Sequence, residues 1–127
     1  MDDNEIYGIS IVIPTLNEEG NIKKLIERIV LAFSNTNYKY EIIVVDDNSS
    51  DRTQDEVGEI IANRTEQNNI FLYVKKGKRG KSISLIEGFS YAHYPILGMI
   101  DADLQYPPEA FPEMLDNLFS GYIYFIA

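Results

Sequence analysis

The stretch Glu41-Ile42-Ile43-Val44-Val45-Asp46-Asp47-Asn48-Ser49-Ser50-Asp51 decides the fold. Its first half is an apolar, β-branched run with no polar alternation, which predicts a strand over 41–45 buried on both faces. Its second half is wholly polar and offers several N-caps for a helix through about Arg64, with Val57, Ile60 and Ile61 facing inward. A buried strand that passes straight into caps and a helix is half of a βαβ unit.

The same pattern repeats on either side. Upstream, Ile9 to Ile13 forms a short apolar strand closed by Pro14, and Asn17, Glu18 and Glu19 read as a helix start, with Asn17 as its cap. Ile22, Leu25, Ile26, Ile29, Val30 and Phe33 then follow at helical spacing. Downstream, a third strand over Ile70–Val74 enters the basic segment Lys75-Lys76-Gly77-Lys78-Arg79-Gly80-Lys81-Ser82. The next helix runs from Ser82 to about His93, with Ile83, Ile86 and Phe89 on its apolar side. A fourth strand, Ile96–Ile100, ends in Asp101-Ala102-Asp103; Pro107 and Pro108 open a helix through about Leu118, Gly121 stops it, and Tyr122–Ile126 reads as a fifth strand. Strictly alternating strands and helices predict an α/β protein of three α/β/α layers, with a Rossmann-like, mainly parallel sheet covered on both faces. No linker or repeat divides it. In such sheets ligands bind beyond the carboxyl ends of the strands, where Pro14–Glu18, Asp46–Asp51, Gly77–Lys81 and Asp101–Gln105 all fall.

Composition narrows the function. With 127 residues the chain fits one domain, and 20 Asp and Glu against 11 Lys and Arg leave a net charge of −9. That acidity argues against nucleic acid as a partner. The absence of cysteine removes disulfides, thiol catalysis and Cys-based zinc sites. No apolar run reaches membrane-spanning length, and the acidic start Met-Asp-Asp-Asn-Glu is unlike a secretory signal, so a cytoplasmic location is expected. Five of the eleven basic residues, Lys75, Lys76, Lys78, Arg79 and Lys81, lie within seven positions, and the remainder of the chain is strongly acidic. An anionic ligand is therefore attracted at one place and repelled elsewhere unless a cation assists.

The individual motifs each admit a structural and a chemical reading. Asp101 and Asp103 sit two residues apart behind a strand, with Ala102 leaving space between them. They can share a hard divalent cation such as Mg²⁺ or Mn²⁺, or one can cap the following helix while the other is solvated. Asp46 and Asp47 end another strand; they can meet a nucleobase N–H or a ribose hydroxyl or hold a metal, or form an Asx-type turn with Asn48, and where both readings hold Asp47 is the outward one. Leu16 and Glu18 are free to line a pocket. Gly80 lets backbone N–H groups approach a phosphate, and Lys81 begins a helix whose amino end favours anions. The segment also imitates the end of a P-loop, but position 75 is Lys where that motif requires Gly. His93, the single histidine, reads as a structural residue near a helix C-terminus.

Taken together, Ile11-Val12-Ile13-Pro14-Thr15-Leu16-Asn17-Glu18, Ile42-Ile43-Val44-Val45-Asp46-Asp47-Asn48-Ser49 and Asp101-Ala102-Asp103-Leu104-Gln105-Tyr106-Pro107-Pro108-Glu109 resemble the family 2 glycosyltransferases. Within them the chain is most similar to the dolichol-phosphate mannosyltransferase and polyprenyl-phosphate glycosyltransferase branch. The resemblance implies a GT-A fold, a GDP- or UDP-sugar donor, Mg²⁺ or Mn²⁺, and transfer with inversion at the anomeric carbon, with a polyprenyl (lipid) phosphate as acceptor. It implies that Pro14, Leu16 and Glu18 line the nucleoside pocket and that Asp47, supported by Asp46, meets base or ribose. Asp101 and Asp103 would hold the metal with Ala102 between them, Gln105 would lie near the sugar, and Gly80-Lys81 would bring a cation to the donor. Leu16 stands where many relatives have Tyr, so an aromatic contact to the base is missing.

Relatives continue beyond the matched region with an acceptor side. Residues 1–127 are accordingly expected to be the N-terminal, nucleotide-sugar-binding part of a longer GT-A domain, with membrane association only through regions outside this chain. Two folds of other classes share part of the pattern. A phosphorelay receiver shares an acidic strand end, but it opens with that strand, whereas a strand and helix precede it here. A P-loop NTPase is imitated by Gly80-Lys81-Ser82, but the loop follows the third strand rather than an early one.

Overall fold

The computed structural model describes residues 8–64 and 68–119. Strands and helices alternate along them: β1 (Gly8–Thr15), α1 (Asn21–Phe33), β2 (Lys39–Asp46), α2 (Thr53–Asn63), β3 (Ile70–Val74), α3 (Lys81–Ser90), β4 (Ile96–Met99) and α4 (Ala110–Phe119). The fifth strand read over 122–126, and the stop at Gly121, lie outside the described residues. The four strands form one parallel sheet in the order β3-β2-β1-β4. The order reverses between β1 and β4, which leaves a crevice beyond their carboxyl ends.

The sheet is covered unequally. Ile9, Ile11, Ile13, Ile42 and Val44 project to one face, where they pack with Leu25, Ile26 and Ile29 of α1, Val57 of α2, and Phe111 and Leu115 of α4. Val12, Ile43 and Val45 project to the other face and meet Leu85 and Phe89 of α3. This is the strand period of two, applied to runs apolar at every position because both faces are covered. Leu25, Ile26 and Ile29 are fully buried, and truncating one such side chain to Ala costs about 2–5 kcal/mol. On the α3 face the helix comes unusually close: a Cβ at Gly88 would sit 2.5 Å from Val12 Cγ1. Gly88 thereby sets the depth of α3, and with it the position of the helix start at the sheet's carboxyl edge.

Several element boundaries differ from the sequence reading, and local hydrogen bonding gives the reason. Glu18 and Glu19 precede α1 rather than forming its first turn; the helix starts at Asn21 after Gly20, whose φ of 84° suits glycine. Asn17 does not cap α1, because its side chain accepts from Ser50 N–H in the next loop. In α3 the first residue is Lys81, and the helix ends at Ser90 rather than His93. In α4 the two prolines supply carbonyls instead of helical residues: Pro107 C=O accepts from Ala110 N–H and Pro108 C=O from Phe111 N–H. His93 lies beyond α3 at the opposite edge of the sheet. Its Nδ1 is 2.8 Å from Oε1 of the buried Glu41, whose other oxygen accepts from Ser10 Oγ and His93 N–H. It serves the fold, as read.

Candidate functional site

Four loops leave the carboxyl ends of the four strands, and each contains a residue with positive φ: Asn17 (53°), Asn48 (61°), Gly80 (131°) and Leu104 (63°). Asparagine and glycine tolerate this region. Leucine does not, at a cost of order 1–2 kcal/mol, and Leu104 is held there by packing against the main core.

The loops after β1 and β2 are stitched together by side chains. Asn17 N–H donates to Ser49 Oγ, Glu18 N–H to Thr53 Oγ1, Glu19 N–H to Asp51 Oδ2 and Gly20 N–H to Glu56 Oε2. In return Arg52 N–H donates to Glu19 Oε1. The backbone donors ahead of α1, which have no helical partner of their own, are thus satisfied from α2 and its approach. Asp51 is the hub of this exchange, and the Thr53 hydroxyl is the chief cause of its lowered carboxyl pKa.

At the end of β2 the two aspartates divide. Asp46 is fully buried and accepts four hydrogen bonds, from Thr15 Oγ1, Ser49 N–H, Ser49 Oγ and Gln54 Nε2. It braces the loop and does not line the cavity. Asp47 sits at the cavity wall, with Oδ2 accepting from Gly80 N–H at 3.0 Å and Oδ1 3.3 Å from Lys75 Nζ. The Gly80 N–H, followed by the Lys75 ammonium, holds its carboxyl below the usual aspartate value. Lys75 is itself buried, and its ammonium also donates to Gly80 C=O and Ser84 Oγ. Its three donors meet Asp47, Gly80 and Ser84, and Gly80 is held through both its N–H and its C=O. The Gly80 N–H is therefore committed to Asp47 rather than open to a phosphate.

At the end of β4 the carboxylates are far less engaged. Asp103 is exposed and accepts from Gln105 N–H at 3.2 Å. Asp101, with its side chain 30% exposed, pairs with Lys81 Nζ at 2.5 Å. Ala102 between them is buried and turns into the core.

A cavity of about 400 Å³ opens among these loops. Pro14, Leu16 and Glu18 line it from β1, Asp47 from β2, Gly80 and Lys81 from the start of α3, and Asp101, Ala102 and Asp103 from β4. Gln105 is exposed on the same loop but does not line it. Thr15 and Ser84 also line the cavity, and sequence reasoning passed over both, as it did the role of Lys75. Thr15 is marked only by its place between Pro14 and Leu16 and Lys75 only as one of five clustered cations, while Ser84 carries no local signal. Among the described residues no three His, Cys, Asp or Glu side chains form a cage for a metal ion. An ion of the Mg²⁺ or Mn²⁺ type needs no such cage, since it accepts one or two carboxylates and takes its remaining ligands from phosphate oxygens and water.

Comparison with known proteins places this architecture. The chain is 35% identical over 113 residues to a dolichol-phosphate mannosyltransferase of Pyrococcus furiosus, covering 89% of this chain and 30% of the relative. It is 34% identical over 124 residues to an undecaprenyl-phosphate 4-deoxy-4-formamido-L-arabinose transferase of Photorhabdus laumondii, covering 96% and 37%. The chain thus spans about a third of the length of these curated relatives. Among solved structures, a mannosyltransferase of Pyrobaculum calidifontis in complex with GDP-Man and Mn²⁺ superposes with a TM-score of 0.67 at 25% identity, over 80% of this chain and 29% of that one. The glucosyl-3-phosphoglycerate synthase of Mycobacterium tuberculosis, in complex with UDP, shares the fold at a TM-score of 0.69 and 23% identity, over 91% and 41%. The description Glycosyl transferase family 2 matches residues 10–127. With its parallel sheet, its acidic strand ends and this match over nearly its whole length, the chain belongs to glycosyl transferase family 2.

Proposed function

We propose that this chain is the donor-binding part, residues 1–127, of a glycosyltransferase that moves a sugar from a GDP- or UDP-sugar to a polyprenyl phosphate with inversion at the anomeric carbon. The observation that carries the reading is the cavity itself. It joins an apolar wall, an anchored carboxylate, a lysine and two accessible aspartates beyond the carboxyl ends of parallel strands. The GDP-Man and Mn²⁺ of the Pyrobaculum structure support a nucleotide sugar and a divalent ion. The names of the two curated relatives support a polyprenyl phosphate as acceptor.

Each residue has a part that its surroundings suit. Pro14 and Leu16 offer apolar surface to the nucleoside, and Leu16 is 45% exposed for that contact. Asp47, ionised and fixed by Gly80 and Lys75, is a preset acceptor for a base N–H or a ribose hydroxyl. Asp46 supports it from below. Glu18 closes the pocket near the start of α1. Asp101 and Asp103 would hold Mg²⁺ or Mn²⁺, and such an ion offsets the charge left on the departing diphosphate. Lys81 adds a cation at the same place, and Gln105, on the exposed loop beyond Asp103, is the residue nearest in sequence to reach a sugar. An acidic protein can hold an anionic donor in this way because its carboxylates bind the metal and the metal binds the phosphates. No helix among the described residues is long and apolar enough to cross a membrane; work on a lipid phosphate at a cytoplasmic membrane face would draw on regions outside this chain.

Calorimetric titration with GDP and with UDP, each with and without Mn²⁺, tests the reading. One of the two is expected to bind in a Mn²⁺-dependent manner, and Asp103→Ala is expected to abolish that binding with an unchanged melting temperature. Equal nucleotide affinity in wild type and Asp103→Ala, both with Mn²⁺, would overturn it.

A further inference from the structure

Two lysines of the basic loop are built in opposite ways. The Lys75 side chain is 2% exposed, and its three acceptors leave it no freedom to move. Lys81, the first residue of α3, crosses the mouth of the cavity to the end of β4, where its ammonium lies 2.5 Å from Asp101 Oδ1. There the lysine side chain is 53% exposed and the aspartate 30%. An ion pair this open to solvent contributes little to folding and is free to change partners.

We propose that Lys81 is an exchangeable counter-ion. It holds Asp101 until a divalent cation takes that carboxylate, then transfers to the diphosphate of the donor, so that metal and nucleotide bind as a coupled pair. The inference rests on the donor-site reading above and adds the order of charge exchange within it.

The physical argument follows from one oxygen and three charges. Asp101 and Asp103 concentrate negative charge at the strand end, and Lys81 offsets it. A divalent ion ligated by Asp101 competes with the ammonium for the same oxygen and repels it at short range. Metal binding by itself therefore releases a cation into a cavity whose other anchored carboxylate, Asp47, is already engaged by Lys75 and Gly80. A nucleoside diphosphate changes the balance, because its oxygens accept the released ammonium. The metal is opposed by Lys81 when alone and assisted by it when the nucleotide is present. By thermodynamic linkage, the nucleotide gains from the metal by the same factor.

The test measures Mn²⁺ binding from the electron paramagnetic resonance signal of the free ion, with and without saturating GDP or UDP, on the whole chain. Lys81→Met is expected to bind Mn²⁺ alone about 5-fold more tightly than wild type, and to bind nucleotide in the presence of Mn²⁺ more weakly by a similar factor, within the usual range of coupling between sites. Lys81→Arg, which keeps the cation, is expected to retain the wild-type coupling. A structural role would not raise metal affinity. If Lys81→Met weakens Mn²⁺ binding or leaves both affinities unchanged while wild type shows Mn²⁺-dependent nucleotide binding, the exchange is wrong and the donor site stands. If wild type shows no such binding, the donor-site reading fails and the exchange falls with it.

Discussion

The strand ends of β2 and β4 carry the same chemical groups, two aspartates each, and live in opposite surroundings. Asp46 is buried under four donors and Asp47 is clasped by a backbone N–H and a buried ammonium. Asp101 and Asp103 stand near solvent, with one exposed lysine and one backbone N–H between them. A carboxylate's task is set by how many donors the fold delivers to it. Saturated, it becomes a fixed piece of scaffold; undersupplied, it keeps lone pairs for a ligand. Asp47 lies between these extremes, immobile yet at the cavity wall.

The contrast can be broken most severely at Asp46. Asp46→Ala removes the acceptor of four hydrogen bonds in a buried site, and a loss of about 3–5 kcal/mol of stability is expected by denaturant unfolding. A variant as stable as wild type would mean that the loop does not depend on this carboxylate. Asp47→Asn comes next. It leaves Lys75 buried beside a neutral partner, and a loss of about 2 kcal/mol at neutral pH is expected. The pH dependence has a defined sign. The folded Asp47 pKa is lowered from 3.8, chiefly by the Gly80 N–H with Lys75 adding. The stability it confers is therefore full above about that value and disappears as pH falls through the lowered one. The gap between wild type and Asp47→Asn should narrow below about pH 4, and a gap constant down to pH 2 would contradict the assignment. Asp101→Ala is the mildest for folding. Its one ion pair is exposed, so a change under about 0.5 kcal/mol is expected, and a loss comparable with that of Asp46→Ala would erase the distinction between the two strand ends.

Much of the architecture is legible in the sequence. Continuous β-branched runs such as Ile42–Val45 have one stable home, the interior of a parallel sheet, and the turn chemistry after each run located the four loops. The ends of elements were less legible. Glu18 and Glu19 look like first-turn acids, but the N–H donors there are satisfied by Thr53, Asp51 and Glu56, more than thirty residues away. Leu104 carries no sign of a left-handed conformation, because its side chain is held there by core contacts rather than by its own preference.

The candidate site divides along the same line. Pro14, Leu16, Glu18, Asp47, Gly80, Lys81 and Asp101–Asp103 were marked by their place at strand ends, and the fold gathers them around one cavity. Gln105 shares the loop but not the lining, and Asp46 lies beneath it.

By itself, then, the sequence determined the layers, the order of strand and helix, and the edge where the chemistry collects, since burial period and turn residues are local properties of the chain. Only the tertiary structure decided which aspartate is scaffold and which is open, that Lys75 is locked and Lys81 loose, and that the Gly80 N–H is spent on Asp47. Those roles turn on contacts between loops, Thr15 with Asp46, Asp47 with Gly80 and Lys75, and Lys81 with Asp101, whose partners lie 20 or more residues apart.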